Sequence, residues 1–331
     1  MKIDFNTDPR LWQLNEWLTA VLPYGEFKLE VASSDASFRR YFRVYQHEVS
    51  RIVMDAPPEH EDIDSFVAIA EFLSGFDIHV PRIFARNMEQ GFLLISDLGN
   101  TSYLSALNAD SADPLYQAAI DEIIKMQLTP SDDLSLPAYD EDKLRIEMNL
   151  FPDWFLEKHL SLSAPPDLAT VFDLLIANAV SQPQYFVHRD YHSRNLMLGP
   201  DNEVGVIDFQ DAVTGPATYD LVSLLRDCYI EWPQARLDNW LDYYFQQARA
   251  KQLLAGVDKA AFIRWFDLMG LQRHLKVLGI FCRLNYRDGK AGYMNDLPLT
   301  LKYVLQITGR YPELAALHQY LTHSPTIMAI K

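Results

Sequence analysis

Apolar positions recur at two different periods along this chain, and the switch between them divides it. Over residues 8–22 the spacing is helical, with Leu11, Leu14, Trp17, Leu18 and Val21 on one face, Asp8 placed to cap and Pro9 suited to a first turn. From Phe27 to Met54 the period falls to two. Phe27, Leu29 and Val31 alternate with charged or small residues, Tyr41, Arg43 and Tyr45 repeat the pattern, and Ile52-Val53 begins a third run. The expectation is a three-stranded meander. Helical spacing returns over 62–75, with Phe66, Ile69, Ala70 and Leu73 on a stripe that Gly75 stops. A strand follows near Ile83-Phe84, and Gly91 to Ile95 reads as a buried strand running into Ser96-Asp97-Leu98-Gly99.

Past Gly99 the pattern is mostly helical, over 113–126, 140–160, 166–181, 219–230, 233–252, 259–285 and 297–308. Trp240, Tyr243, Tyr244, Phe245, Trp265 and Phe266 fall at helical spacing and read as core. One interruption stands out. Leu196-Met197-Leu198 and Val204-Gly205-Val206-Ile207 are short strands joined by the turn formers Gly199-Pro200-Asp201-Asn202, a hairpin signature. The pattern divides the chain into a sheet-rich part over 1–98 and a helical part over 99–331.

Composition narrows the function classes. The 331 residues are 49 % hydrophobic, enough for a substantial core, and carry a net charge of 29 − 45 = −16. Without a Lys/Arg-rich run, nucleic acid is not expected as a partner. No apolar run reaches the length of a membrane span, the N-terminus lacks a signal core, and Cys228 and Cys282 sit in apolar helical surroundings that suit reduced thiols. A soluble, cytoplasmic monomer is expected.

The chemistry-bearing residues cluster around the hairpin. His188-Arg189-Asp190, four spacers and Asn195 precede it, and Asp208 ends its second strand. The hairpin is expected to bring Asp190, Asn195 and Asp208 to one end of two short strands, where two carboxylates and an amide oxygen suit Mg²⁺. The constellation resembles the catalytic loop and metal segment of the protein-kinase fold, and that resemblance implies that Asp190 accepts a substrate hydroxyl proton while Asn195 and Asp208 hold metal bridging ATP phosphates. The small-residue turn holding Ser33, Ser34, Asp35 and Ser37 reads as a loop over those phosphates. The ending Ser96-Asp97-Leu98-Gly99 resembles the inter-lobe hinge of kinases, which implies that backbone groups at Ser96, Asp97 and Leu98 bond adenine. The third strand has Met54 or Asp55 where a phosphate-pairing lysine is expected; Arg40, Arg43, Arg51 or the metal itself could take that role. Glu59, Glu61 and Glu71, at and ahead of the following helix, are candidates for the acidic partner that kinases carry there. Asp220, in the first turn of its helix, and His188 are given structural roles bracing the loop. Asp211, Arg226, Arg273 and His274 are candidates for an acceptor pocket.

The whole arrangement resembles the aminoglycoside phosphotransferase family, over roughly residues 27 to 300. The resemblance implies an α+β, protein-kinase-like two-lobed fold, with a small antiparallel-sheet N-lobe and a mostly helical C-lobe. Within it, SDASFRRYFR (34–43), MDAPPE (54–59), LLISDLG (93–99), HRDYHSRN (188–195) and IDFQDAVTGPATYDLVSLLRD (207–227) look like bacterial sugar kinases. Those enzymes phosphorylate the anomeric hydroxyl of N-acetylmuramate and N-acetylglucosamine in cell-wall recycling. The resemblance implies ATP and an amino sugar as substrates and Mg²⁺ as cofactor. Other small-molecule kinases, acting on aminoglycosides or choline-like amines, and a non-catalytic nucleotide-binding regulator are the competing readings.

Overall fold

The structure is a computed structural model and describes residues 8–23, 25–34, 38–130 and 134–330. The chain divides into two compact units, 1–101 with 196–211 and 102–195 with 212–331. The first break falls close to the expected one at Gly99, and the hairpin joins the sheet-rich unit.

In the first unit, α1 (Pro9–Val21) precedes β1 (Lys28–Ser34), β2 (Arg40–Gln46) and β3 (Val49–Asp55). Then come α2 (Asp64–Ser74), β4 (Ile83–Asn87) and β5 (Phe92–Ser96). The strands form one antiparallel sheet in the order β1-β2-β3-β5-β4, the expected meander extended by two strands. Asp8 caps α1 by accepting from the Arg10 and Leu11 amides at 3.0 and 3.2 Å. Below the cap, Leu11, Leu14, Leu18 and Leu22 pack on Phe42, Val44, Val53, Phe92 and Leu94 of the sheet. Burying each of these side chains contributes about 1.5–3 kcal/mol. The turn into β5 needs Gly91, since it has φ 72° and a Cβ there would lie 1.9 Å from the Ala56 carbonyl oxygen.

The second unit begins with α3 (Tyr103–Ala106), α4 (Ala112–Gln127) and α5 (Glu141–Met148). A wide helical stretch of π type over Phe151–His159 follows, then α6 (Leu168–Val180) and β6 (Gln184–Val187). The single helix expected over 140–160 is therefore two. Pro152 has no N–H to continue the ladder from α5, so the helix stops and restarts in a wider form. The hairpin β7 (Leu196–Leu198) and β8 (Val204–Val206) belongs to the first unit, held there by Leu198 N–H to the Thr101 carbonyl and Val206 N–H to the His79 carbonyl, both 2.8 Å.

The second unit resumes with β9 (Val213–Pro216), which pairs with β6, and α7 (Tyr219–Leu225). The helix expected to reach 230 ends at Leu225, because Arg226 leaves helical geometry and Asp227 turns the chain by accepting the Tyr229 amide at 3.0 Å. Then follow α8 (Gln234–Ala250), α9 (Lys259–Asp288), α10 (Leu297–Thr308), α11 (Ala315–His323) and α12 (Pro325–Met328). Between Phe266 and Cys282, α9 is buried on nearly every face, so it forms the axis of this unit. Cys228 and Cys282 are both free and buried, and among the described residues no helix is long and apolar enough to cross a membrane.

Candidate active site

The loop 188–195 leaves the end of β6, beside the β6–β9 pair, and three parts of the second unit hold it. Asp220, in the first turn of α7, accepts the His188 and Arg189 amides at 2.7 and 3.0 Å. Those bonds keep Arg189 at φ 76°, a conformation that costs a non-glycine residue about 1–3 kcal/mol. Asp227 accepts the Ser193 amide at 2.9 Å, and the Ser193 carbonyl accepts the Leu104 amide at 2.9 Å. Within the loop, the Asp190 amide donates to His188 Nδ1 at 3.2 Å. The Asp190 carbonyl accepts from Asn195 Nδ2 at 3.0 Å and the His192 amide at 3.1 Å. His188, Asp190, Asn195 and Asp220 are thus brought together on one frame.

That frame is also an electrostatic one. Arg189 and Lys276 both ion-pair with Glu147, the lysine at 3.1 Å, and the Tyr139 hydroxyl donates to the same carboxylate. Lys276 also donates to the Tyr219 hydroxyl at 3.1 Å. Burial pushes the Asp190 carboxyl upward, but Lys276 first, then His192, Arg273 and Arg189, hold it below the ordinary carboxylate value. His192 is itself pushed by burial toward its neutral form, leaving Lys276, Arg273 and Arg189 as the standing cations. Asp190 is therefore ionised and able to accept a proton.

Asp220 behaves oppositely. Burial pushes its carboxyl up to about 6 against the pull of His188 and the two amides. A raised native pKa means this group's contribution to stability is complete below the ordinary value and fades as pH rises through about 6. Activity takes the other sign, since only the carboxylate accepts both amides. We expect kcat/KM to fall as pH drops through about 6, and Asp220→Asn to remove that limb at a lower plateau. A limb that persists unmoved in Asp220→Asn would assign it to another group.

Other candidates fall in the first unit. Asp208 follows β8 at φ 67° and accepts from Gln210 Nε2 at 2.8 Å, while Phe209 is buried with its ring 4.9 Å from that of Phe66 on α2. Leu98 lies against Gly205 of the hairpin. Ser96 donates its amide to the Arg82 carbonyl at 2.8 Å, and its hydroxyl oxygen accepts the Arg82 amide at 2.9 Å. Arg43 is held at two points by Asp97, 2.6 and 3.0 Å, and donates to the Gly99 carbonyl at 3.2 Å. Asp211 is exposed. Asp35 and Ser37 lie outside the described residues, and of Ser33 and Ser34 only the backbone, at the end of β1, is described.

Among the acceptor-pocket candidates, Arg226 is committed to Asp267 at 2.6 Å and to the face of Phe266. His274, which burial pushes down to about 3, bonds the Arg226 carbonyl at 2.9 Å through Nε2 and stacks on Tyr303. Both act as structure. Arg273 differs: it is 4 % exposed, and its hydrogen bond among the described residues is a weak one to Cys228 Sγ at 3.7 Å. Sequence reasoning missed Glu147 and marked Lys276 only as part of the polar run Gln272-Arg273-His274-Leu275-Lys276 facing an acceptor pocket, because their roles come from pairing with each other. Among the described residues no three His, Cys, Asp or Glu side chains gather as a metal cage. By donor type alone, the amide oxygen of Asn195 in the second unit and the carboxylate of Asp208 in the first are oxygens of the kind Mg²⁺ accepts.

The chain is similar to known proteins over most of its length. Residues 28–261 match the model of the phosphotransferase enzyme family. A curated protein of Pseudomonas putida named N-acetylmuramate/N-acetylglucosamine kinase is 47 % identical, covering 95 % of this chain and 96 % of its own. One of the same name from Pseudomonas aeruginosa is 45 % identical, covering 96 % and 98 %. An ADP-bound aminoglycoside phosphotransferase superposes with a TM-score of 0.60 at 16 % identity, covering 89 % of this chain and 98 % of that one. That likeness shows the fold, a protein-kinase-like one with a small antiparallel sheet and a mostly helical remainder.

Proposed function

The chain belongs to the phosphotransferase enzyme family, and from that premise we propose that it is an ATP-dependent sugar kinase. Its acceptors are the anomeric hydroxyls of N-acetylmuramate and N-acetylglucosamine, its products their 1-phosphates, and its place peptidoglycan recycling. The observation that carries this reading is the near full-length likeness to curated kinases named for these two sugars. The ionised Asp190, set on a braced loop, supports it.

Phosphoryl transfer asks a protein for positioning and charge neutralisation rather than covalent chemistry. Asp190 orients the sugar hydroxyl and takes its proton as the γ-phosphoryl leaves ATP. An anomeric hydroxyl is more acidic than an ordinary alcohol, so a carboxylate held at low pKa is base enough. Asn195 and Asp208 are the proposed ligands of Mg²⁺, which would supply positive charge to offset that of the phosphates. The turn holding Ser33, Ser34, Asp35 and Ser37 is assigned to the phosphates and the segment around Leu98 to adenine. Arg273 is assigned to the acceptor side. The enzyme is taken to work in the cytoplasm as a monomer.

The test is ATP consumption with Mg²⁺ against N-acetylmuramate, N-acetylglucosamine, glucose, kanamycin, choline and no acceptor. Turnover with the first two, giving an acid-labile phosphate, is expected. Turnover only with kanamycin or choline would replace the substrate and keep the fold.

A further inference from the structure

Protein kinases place a fixed cation over the α- and β-phosphates, a β3 lysine held by a helix glutamate. Here β3 has no lysine: Met54 is apolar and fully buried, and Asp55 is a buried carboxylate. The register sorts the arginines nearby. Arg40 pairs with Asp55, Phe42 with Val53 and Val44 with Arg51, so Arg40, Arg51 and Asp55 share the face buried under α1. Arg40 and Arg10 both ion-pair with Asp55, and Arg40 also with Asp8. Arg51 lies over the Phe84 ring, 5.3 Å from its centroid. On the other face Arg43 is held at two points by Asp97.

Arg39 is placed differently. Its Nη2 meets Glu61 Oε2 at 2.9 Å, with the two side chains 10 % and 12 % exposed. Glu61 Oε1 accepts the Phe38 amide at 3.1 Å, and the Phe38 ring stacks on His60 at 4.4 Å. Three contacts therefore fasten Phe38-Arg39, just ahead of β2, to the segment that leads into α2. Phe38 is itself 63 % exposed, so apolar burial does not explain the fastening.

We propose that Arg39, positioned by Glu61, replaces the strand lysine and neutralises the polyphosphate of the nucleoside triphosphate. This rests on the kinase reading and is independent of which acceptor is used. Glu61 takes the part of the helix glutamate from a place just before α2, where the helix itself carries only Glu71, paired on the surface with Arg86 at 3.0 Å.

Binding of ATP with Mg²⁺ and of adenosine, measured by calorimetry without acceptor, tests the assignment in wild type, Arg39→Met, Arg39→Lys and Glu61→Gln. Arg39→Met should weaken ATP by about tenfold or more, the worth of one charge-assisted hydrogen bond, and leave adenosine unchanged. Arg39→Lys should recover part of the loss. Glu61→Gln, which keeps an acceptor for the Phe38 amide but not the charge, should fall between. Unchanged ATP binding in Arg39→Met overturns the proposal, as does an equal loss of ATP and adenosine, which would mean the turn had collapsed. With no acceptor present, an error in the sugar assignment leaves these results untouched.

Discussion

Asp190→Asn should lower the rate of phosphoryl transfer about 10²–10⁴-fold while ATP binds close to the wild-type level. The loop is built from the Asp190 backbone rather than its side chain: its amide donates to His188 Nδ1, and its carbonyl accepts from Asn195 and His192. Changing carboxylate to amide therefore leaves the frame standing. It also leaves the positive field of Lys276, Arg273 and Arg189 without the anion it now offsets, which favours binding of anionic substrates. The loss should accordingly appear in kcat and not in KM. Turnover by Asp190→Asn at the wild-type rate would remove Asp190 from the role of base.

Much of this arrangement could be read from the sequence where local rules decide it. The period-two run over 27–54 gave the meander, and the turn formers at 199–202 gave the hairpin, because strand pairing and turns depend on nearby residues. Asp220 was placed by its position in a first turn, and its carboxylate does meet the loop amides. The failures are of another kind. Pro152 breaks a helix whose apolar spacing runs straight through it, so periodicity alone hides the break. Arg43 and Arg40 looked like phosphate ligands, yet each is claimed by a carboxylate distant in sequence, Asp97 and Asp55. Charged residues on a one-dimensional pattern look alike until their partners are known, and those partners are set by tertiary packing. The polar run Gln272-Arg273-His274-Leu275-Lys276 inside an apolar helix, with Arg226-Asp227 in another, was the visible sign of buried charge.

Glu147 is where that network is most exposed to loss, and Glu147→Gln should destabilise the protein by about 3–5 kcal/mol. Its carboxylate receives Arg189, Lys276 and the Tyr139 hydroxyl, and the Glu147, Arg189 and Lys276 side chains are 12 %, 14 % and 7 % exposed. Burial raises the Glu147 pKa, but Lys276, Arg189 and Tyr139 outweigh it and leave the carboxyl below its ordinary value. With a lowered native pKa, this stabilisation is present above the unfolded value of 4.5 and is lost as pH falls through the native one. Urea unfolding at pH 7 should show the lower midpoint. Because most of the cost is two stranded cations rather than one lost attraction, Glu147→Leu combined with Lys276→Met should destabilise less than Glu147→Leu alone. The field on Asp190 would weaken in the same double variant, since Lys276 is the strongest cation acting on it, so its recovery in stability should come with slower transfer. Midpoints for Glu147→Gln equal to wild type would mean that Arg189 and Lys276 do not depend on this carboxylate, and the account of the loop's electrostatic frame would fall with it.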